Sequence, residues 1–216
     1  MEQGSFIVLE GVDGAGTTTH TRELAQWLKG RGVSQFTTAE PSGGPIGSLL
    51  RQTLTGRMVR SAAAGAGAQP PTWNTMALLF AADRLDHCES EILPQLREGA
   101  TVISDRYYHS SVAYQSLSGG GVEAIAWIRD LNRFAKRPDL TIVLDVPAEV
   151  AAERRNRRRG NAEIFDADEL QRRLCAFYMT LERYFPGERI VHVDAVGTME
   201  EVRERIAREV ERLRVS

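Results

Sequence analysis

Lysine is almost missing from this sequence: of its 27 lysines and arginines, only Lys29 and Lys136 are lysine. A cation needed at a functional site must therefore be an arginine unless one of those two can reach it. A basic excess is missing as well. The formal net charge of −2 is not what a nucleic-acid binder shows, so no nucleic-acid partner is expected. The only two cysteines, Cys88 and Cys175, lie far apart with no C-x-x-C and no histidine-rich neighbour. That pattern excludes a disulfide scaffold and leaves no redox or zinc motif; reduced thiols in a cytoplasmic protein are the expectation. No apolar run approaches the roughly 20 residues needed to span a membrane. The first residues lead into a strand pattern, so neither a signal peptide nor a membrane partner is expected. Internal repeats are absent too, and 216 residues fit one α/β domain over 1–216.

What the sequence does have is alternation. Five β-like runs, "SFIVLE", "QFTTAE", "ATVISD", "LTIVLDV" and "RIVHVDA", are nearly continuous in apolar and β-branched residues. Such runs predict strands buried on both faces. Helical patterns separate them, most clearly the last, where Val202, Ile206, Val210 and Leu213 form one apolar stripe. The predicted fold is a five-stranded parallel sheet with helices on both faces, and ligands are expected outside the carboxyl ends of the strands. Three runs end in an acid, Glu10, Glu40 and Asp105, which gathers polar chemistry at that crevice. The low-complexity stretch 61–71, "SAAAGAGAQPP", predicts a mobile surface loop between two helices.

After the first strand comes "EGVDGAGTTTH", in which Gly11, Gly16 and Thr18 match the phosphate-binding pattern G-x-x-x-x-G-K-[ST]. Gly11, Gly14 and Gly16 let the backbone curl so that its N–H groups converge on an anion, and the following helix adds its dipole. Thr18 is placed to offer a hydroxyl to magnesium. The lysine position, however, holds Thr17. Lys29 lies about 18 Å further along the following helix at 1.5 Å per residue. Lys136 precedes the fourth strand and belongs to the opposite edge of the sheet. Three readings follow: a glycine-rich turn without a ligand, a nucleotide site that has lost its chemistry, or one served by an arginine.

Three further segments bear on that choice. "AEPSGGPIG" follows the second strand, "LLFAADRLDH" lies on the third helix, and "VISDRYYHSSVAYQ" runs off the third strand. With the glycine loop, in this order and spacing, they resemble thymidylate kinases, P-loop nucleoside monophosphate kinases, over essentially the whole chain. The resemblance implies a P-loop three-layer fold, a homodimer, and transfer of the ATP γ-phosphoryl group to dTMP with magnesium, for dTTP synthesis.

It also implies roles for residues. Gly11, Asp13, Gly14, Ala15, Gly16, Thr17, Thr18 and Thr19 would surround the ATP phosphates, with Thr18 and Asp105 serving the magnesium ion. Phe80 would stack on thymine, and Arg84, on the same helical face, would hydrogen-bond the base. Arg106 would fork the dTMP phosphate, a bidentate task suited to guanidinium. Asp13 would meet the dTMP 3′-hydroxyl, and Tyr107 would pack on the sugar. Glu40 and Pro41 would begin a second loop, Arg51 on the next helix would contact a phosphate, and Ser110, Ser111, Tyr114 and Gln115 would form a thymine-side wall. His109, where an acid would be expected, reads as a solvated side chain without a role.

The last segment, "AAERRNRRRGNAEIFDADEL", crowds Arg154, Arg155, Arg157, Arg158 and Arg159 at a helix end. Glu153 with Arg157 makes an ordinary i,i+4 pair on a solvated face. Read through the resemblance, about 154–167 is the lid that closes over ATP. Ala15 stands where some members carry a glycine-loop arginine, so the catalytic arginine is expected in the lid. Arg158 is first choice and Arg154 second, with Arg157 and Arg159 not separated from them. The competing class is an inactive nucleotide-binding relative with a regulatory or scaffold role, which the missing lysine supports. Against it, Asp13, Thr18, Asp105, Arg106 and the lid arginines are all retained. A kinase for another deoxynucleotide or a deoxynucleoside is the remaining alternative.

Overall fold

Three of the apolar runs form the centre of a single sheet. The computed structural model describes residues 4–59, 69–157 and 168–214. β1 (Phe6–Glu10) and β3 (Thr101–Asp105) are buried at every position, and β4 (Leu140–Asp145) at all but its last. β2 (Gln35–Ala39) and β5 (Ile190–Asp194) are only partly covered because they are the edges, in the order β2-β3-β1-β4-β5. The expectation of burial on both faces therefore fails for these two, where Thr37 and His192 are exposed, while Thr38 turns inward to the buried His87. All four pairings are parallel.

From β1 the chain crosses to the edge strand β2 and returns to β3 beside β1, then passes to the other side for β4 and β5, so the direction of travel switches beside the central strand. Leu9 pairs with Asp105 and Glu10 with Val143. This register brings the carboxyl ends of β1, β3 and β4 to one crevice, where such sheets bind ligands. The helices that matter there are α1 (Thr17–Lys29), α2 (Pro45–Leu54), α3 (Trp73–His87), α5 (Tyr108–Gln115), α6 (Gly121–Leu131), α7 (Ala148–Arg157), α8 (Asp168–Tyr178) and α9 (Met199–Arg214). A π turn (Cys88–Ile92) joins α3 to the short α4 (Leu93–Arg97). On α9 the expected stripe holds: Val202, Ile206 and Val210 are buried.

Lys136 sits at the far edge, where it contacts Asp139, which in turn accepts the backbone N–H of Phe6. Lys29 ends α1. Neither lysine stands at the crevice. Of the loop expected over 61–71, residues 61–68 lie outside the described residues, as do residues 158–167 of the expected lid, Arg158 and Arg159 among them.

Candidate active site

Between β1 and α1 the backbone turns through left-handed conformations at Gly11, Gly14 and Gly16, with φ of 152°, 93° and 99°. Gly14 is constrained twice. Its φ disfavours a side chain, and a Cβ there would lie 2.3 Å from the Ala151 carbonyl oxygen. Helix α7 can press against the loop only because residue 14 is glycine.

Three of the loop's carbonyls, at alternate residues, are taken by arginines from two other elements. Arg106 Nη1 donates to Gly11 O at 2.9 Å, Arg155 Nη1 to Asp13 O at 3.1 Å, and Arg154 Nη1 to Ala15 O at 3.4 Å. Arg154, the second choice for the lid arginine, stands at the loop and also donates from Nη2 to the Ala195 carbonyl at 3.1 Å. Arg155, which was not among the candidate lid arginines read from the sequence, is placed there too. Arg157 instead pairs with Glu153 on the exposed face.

Arg106 adopts φ 70°, an uncommon conformation for a residue with a Cβ. It is held there by Nη2 donating to Asp13 Oδ1 at 2.6 Å and by Nη1 contacts to Gly11 O and Ser110 Oγ. Burial opposes its charge. The surrounding oxygens of Tyr114, Asp13, Tyr178 and Asp105 outweigh that and raise its pKa, so it stays protonated. Asp13 is shared on its other oxygen with Gln171 Nε2 of α8, at 2.9 Å. Glu10, wholly buried, ties the segment down by accepting the N–H of Tyr107 at 2.8 Å, the Ser110 hydroxyl at 2.6 Å and the Tyr178 hydroxyl at 2.9 Å.

Beyond Arg106 a cavity of about 240 Å³ opens between α2, α3 and α5. Asp13, Glu40, Pro41, Phe80, Arg84, Arg106, Tyr107, Ser110, Ser111, Tyr114 and Gln115 all line it, and Leu54 completes the wall. One expected member is not there. Arg51 turns back to donate to the carbonyls of Pro41 and Ser42, so it braces the Glu-Pro loop instead of lining the cavity. The same loop is pinned to α3 by buried Asp83, which accepts the Ser42 N–H at 2.8 Å and its hydroxyl at 2.6 Å.

Arg84 is a buried hub, not a surface charge. Nε and Nη2 donate to Glu40 Oε2, Nη1 to Asn132 Oδ1, and Nη2 to Ser111 Oγ at 3.0 Å. Of its five donors, one on Nη1 is left for a ligand. Gln115 is also buried, and its Oε1 has no partner among the described residues. Tyr107 reaches the cavity wall with its ring wholly buried and its hydroxyl 2.8 Å from Cys88 Sγ.

His109 corrects the sequence reading. It lies on α5, fully buried, with Nε2 2.9 Å from Glu188 Oε2 and its ring against Phe185. Glu188 is some eighty residues downstream, so no local pattern could have found that partner.

The other side of the glycine loop borders a second cavity, of about 280 Å³, lined by Gly14, Gly16, Thr19, His20, Arg154 and the start of α9. Burial, with Arg154 nearby, lowers the His20 pKa against the pull of Glu23, so this wall carries a neutral imidazole. Between the two cavities the exposed Thr18 hydroxyl contacts Asp105 Oδ2, while Asp105 Oδ1 is buried without a partner among the described residues. A hydroxyl and a carboxylate at the loop's mouth are oxygen donors of the kind magnesium takes, and the unused Oδ1 fits a water of its shell.

Comparison with known proteins points the same way. The family model described as Thymidylate kinase matches residues 9–206. A protein of Thermococcus onnurineus named "Probable thymidylate kinase" is 41% identical over 206 residues, covering 95% of this chain and 97% of that protein. Its namesake in Pyrococcus abyssi is 40% identical, over 94% of each chain. A Xylella fastidiosa (strain M12) protein named "Thymidylate kinase" is 37% identical over 92% of this chain and 83% of its own.

Proposed function

This chain belongs to the thymidylate kinase family, and we propose from its site how it transfers the γ-phosphoryl group of ATP to dTMP. The chain is a phosphotransferase, giving dTDP and ADP. The observation that carries the residue assignment is the 240 Å³ cavity, with a guanidinium at its mouth and polar groups suited to thymine at its base. Arg106 spends three of its five donors on Gly11, Ser110 and Asp13, which leaves Nε and one Nη2 hydrogen for the dTMP phosphate. Phe80 offers its ring to the base. The free Nη1 hydrogen of Arg84 meets a thymine carbonyl, and the orphan Gln115 Oε1 accepts the thymine N3–H. Cytosine, whose N3 is itself an acceptor, would face that oxygen unfavourably. Buried Tyr107 borders the sugar, and Asp13 meets its 3′-hydroxyl.

ATP fits the opposite cavity, with its phosphates along the glycine loop toward Thr18. A dTMP phosphate oxygen attacks the γ-phosphorus, and the bond to the bridging oxygen of the departing ADP breaks. No general base is required, because the attacking oxygen is already ionised at neutral pH. The protein's contribution is alignment and positive charge around the moving group, from the loop N–H groups and the arginines at its rim. The Thr18 hydroxyl and Asp105 would hold magnesium, which would supply further positive charge to the transfer.

The exposed apolar side chains Leu78, Val122 and Trp127, on α3 and α6, support a homodimer. No helix among the described residues is long and apolar enough to cross a membrane, and Cys88 and Cys175 are free thiols, which supports a cytoplasmic location. The deciding experiment is a coupled assay for ADP release with ATP, magnesium and a panel of acceptors. dTMP should be preferred. A pocket that senses one methyl group discriminates by only about 1–3 kcal/mol, so dUMP should be a poor substrate but a measurable one. A better rate with AMP or dCMP would overturn the assignment of this cavity.

A further inference from the structure

Behind α5, separated from the proposed dTMP cavity by the contact of Arg84 with Asn132, lies a third cavity that the reaction does not use. At about 460 Å³ it is nearly twice the volume of the proposed dTMP cavity. Three arginines line it, Arg129 on the last turn of α6 and Arg133 and Arg137 in the segment that follows. Two acids share its wall, and both are already engaged. Asp130 accepts from Arg133 at 2.7 Å. Glu188 turns one oxygen inward to His109 at 2.9 Å and stands 3.7 Å from Arg137 Nε with the other. Arg129 has no carboxylate partner among the described residues; its guanidinium carbon stands 5.7 Å over the Phe185 ring. The wall thus carries three guanidinium groups against two carboxylates, with the unpaired charge beside an aromatic floor. Arg133 also lies over the Phe134 ring, its guanidinium carbon 4.7 Å from the centroid. A roomy cavity lined by three arginines with spare donors suits an anion with several phosphate oxygens, which guanidinium binds in forked pairs.

We infer that this cavity, between α5, the end of α6 and residues 185–188, is a second anion site that takes a polyphosphate chain. The chain has two sources, a free inorganic polyphosphate or the tail of a nucleoside triphosphate. Phosphates bound by exposed arginines are screened by salt, so the affinity should fall as ionic strength rises.

The test is calorimetric titration of the full chain with inorganic tripolyphosphate, which can also occupy the glycine loop. Two sites per chain are expected in the wild type. Arg129→Ala/Arg133→Ala should lose one of them, or weaken it at least tenfold, and keep the other. Both arginines are exposed and lie outside the proposed catalytic machinery, so dTMP-dependent turnover of the double variant should stay within twofold of wild type and report an intact fold. Arg133→Glu, a single charge reversal, should give the same loss. Repeating the titration with UTP separates the sources: tenfold tighter binding than tripolyphosphate at this site assigns a nucleotide, equal binding a free polyphosphate. A double variant that binds tripolyphosphate with wild-type stoichiometry and affinity overturns the proposal, as does a wild type with only one site.

Discussion

Replacing Arg84 with methionine should cost more stability than almost any other change outside the apolar core. The side chains of Arg84 and Glu40 are 1% and 3% exposed, and two guanidinium nitrogens converge on one carboxylate oxygen. Truncation leaves the Glu40 carboxylate buried with only His87 Nδ1, 3.3 Å away, in reach, and takes the donor from Asn132 Oδ1 and from Ser111 Oγ. Breaking a buried pair from one side costs about 3–5 kcal/mol, because an uncompensated charge remains. Against a total of about 5–15 kcal/mol that is a large fraction. For a chain of this size it corresponds to a fall in Tm of roughly 10 °C. Arg84→Met/Glu40→Gln removes the stranded charge and should recover about half of the loss. The assay is urea unfolding followed by circular dichroism, reading the midpoint at unchanged slope. Loss below about 1 kcal/mol in the single variant, or no recovery in the double, would refute the account of Arg84 as a desolvated hub. Turnover is a separate readout, since both variants lack the donor proposed for thymine.

Arg106→Ala removes the proposed phosphate fork, worth about 1.5–3 kcal/mol, and should raise KM for dTMP by roughly 10–150-fold while KM for ATP moves by less than about threefold. Equal weakening of both substrates in steady-state kinetics would make Arg106 a structural residue. Arg154→Ala and Arg158→Ala should between them show one loss in kcat of about 10³-fold, the scale of arginines that stabilise phosphoryl transfer, with Thr17→Lys changing kcat far less. If alanine at 154, 157, 158 and 159 each leaves turnover near normal, the lid does not replace the lysine. His192, on β5, has its pKa raised by the hydrogen bond and charge of Asp145, with burial opposing. The stability it contributes is present below its unfolded value of about 6.5 and is lost as pH rises through the raised folded value. His192→Gln should therefore lower Tm by about 1–2 °C at pH 5.5–6.5 and not at pH 9, as suits a pair near the surface. A pH-independent difference in scanning calorimetry would count against it.

How much was legible follows from where each signal is local. β1, β3 and β4 announce themselves because burial on both faces demands continuous apolar runs, while β2 and β5 are edges that the same test overstates. The cavity wall was readable because its residues cluster in four short segments. Leu54, Asn132 and Gln171 were missed because nothing local distinguishes them: each is placed by a helix packing back from elsewhere. The place of Arg51 was not legible for a related reason. An arginine beside a phosphate site and an arginine bracing a loop through its carbonyls are the same letter, and only the path of Pro41 and Ser42 separates them. His109 reads as polar loop until Glu188 and Phe185 arrive to bury it.

The near-absence of lysine and the missing lysine of the glycine loop come together in the loop's own backbone. In the proposed site its N–H groups face the phosphates, and the loop's carbonyls, turned outward, need donors of their own. Gly11, Asp13 and Ala15 each find one in a guanidinium, from Arg106, Arg155 and Arg154. The hydrogen bonds that satisfy the loop therefore also bring three fixed positive charges to its rim, with Asp13 the acid shared among the contacts. A lysine ammonium is a single point charge on a flexible stem; these guanidinium groups are held by the β3–α5 turn and by α7, two elements that would move relative to each other if the lid closes. Thr17 is itself buried and adds no charge. Charge at this loop thus depends on α7 staying packed against Gly14, where a Cβ would strike the Ala151 carbonyl oxygen. The glycine that shapes the anion cradle is also the one that admits the helix bearing its cations.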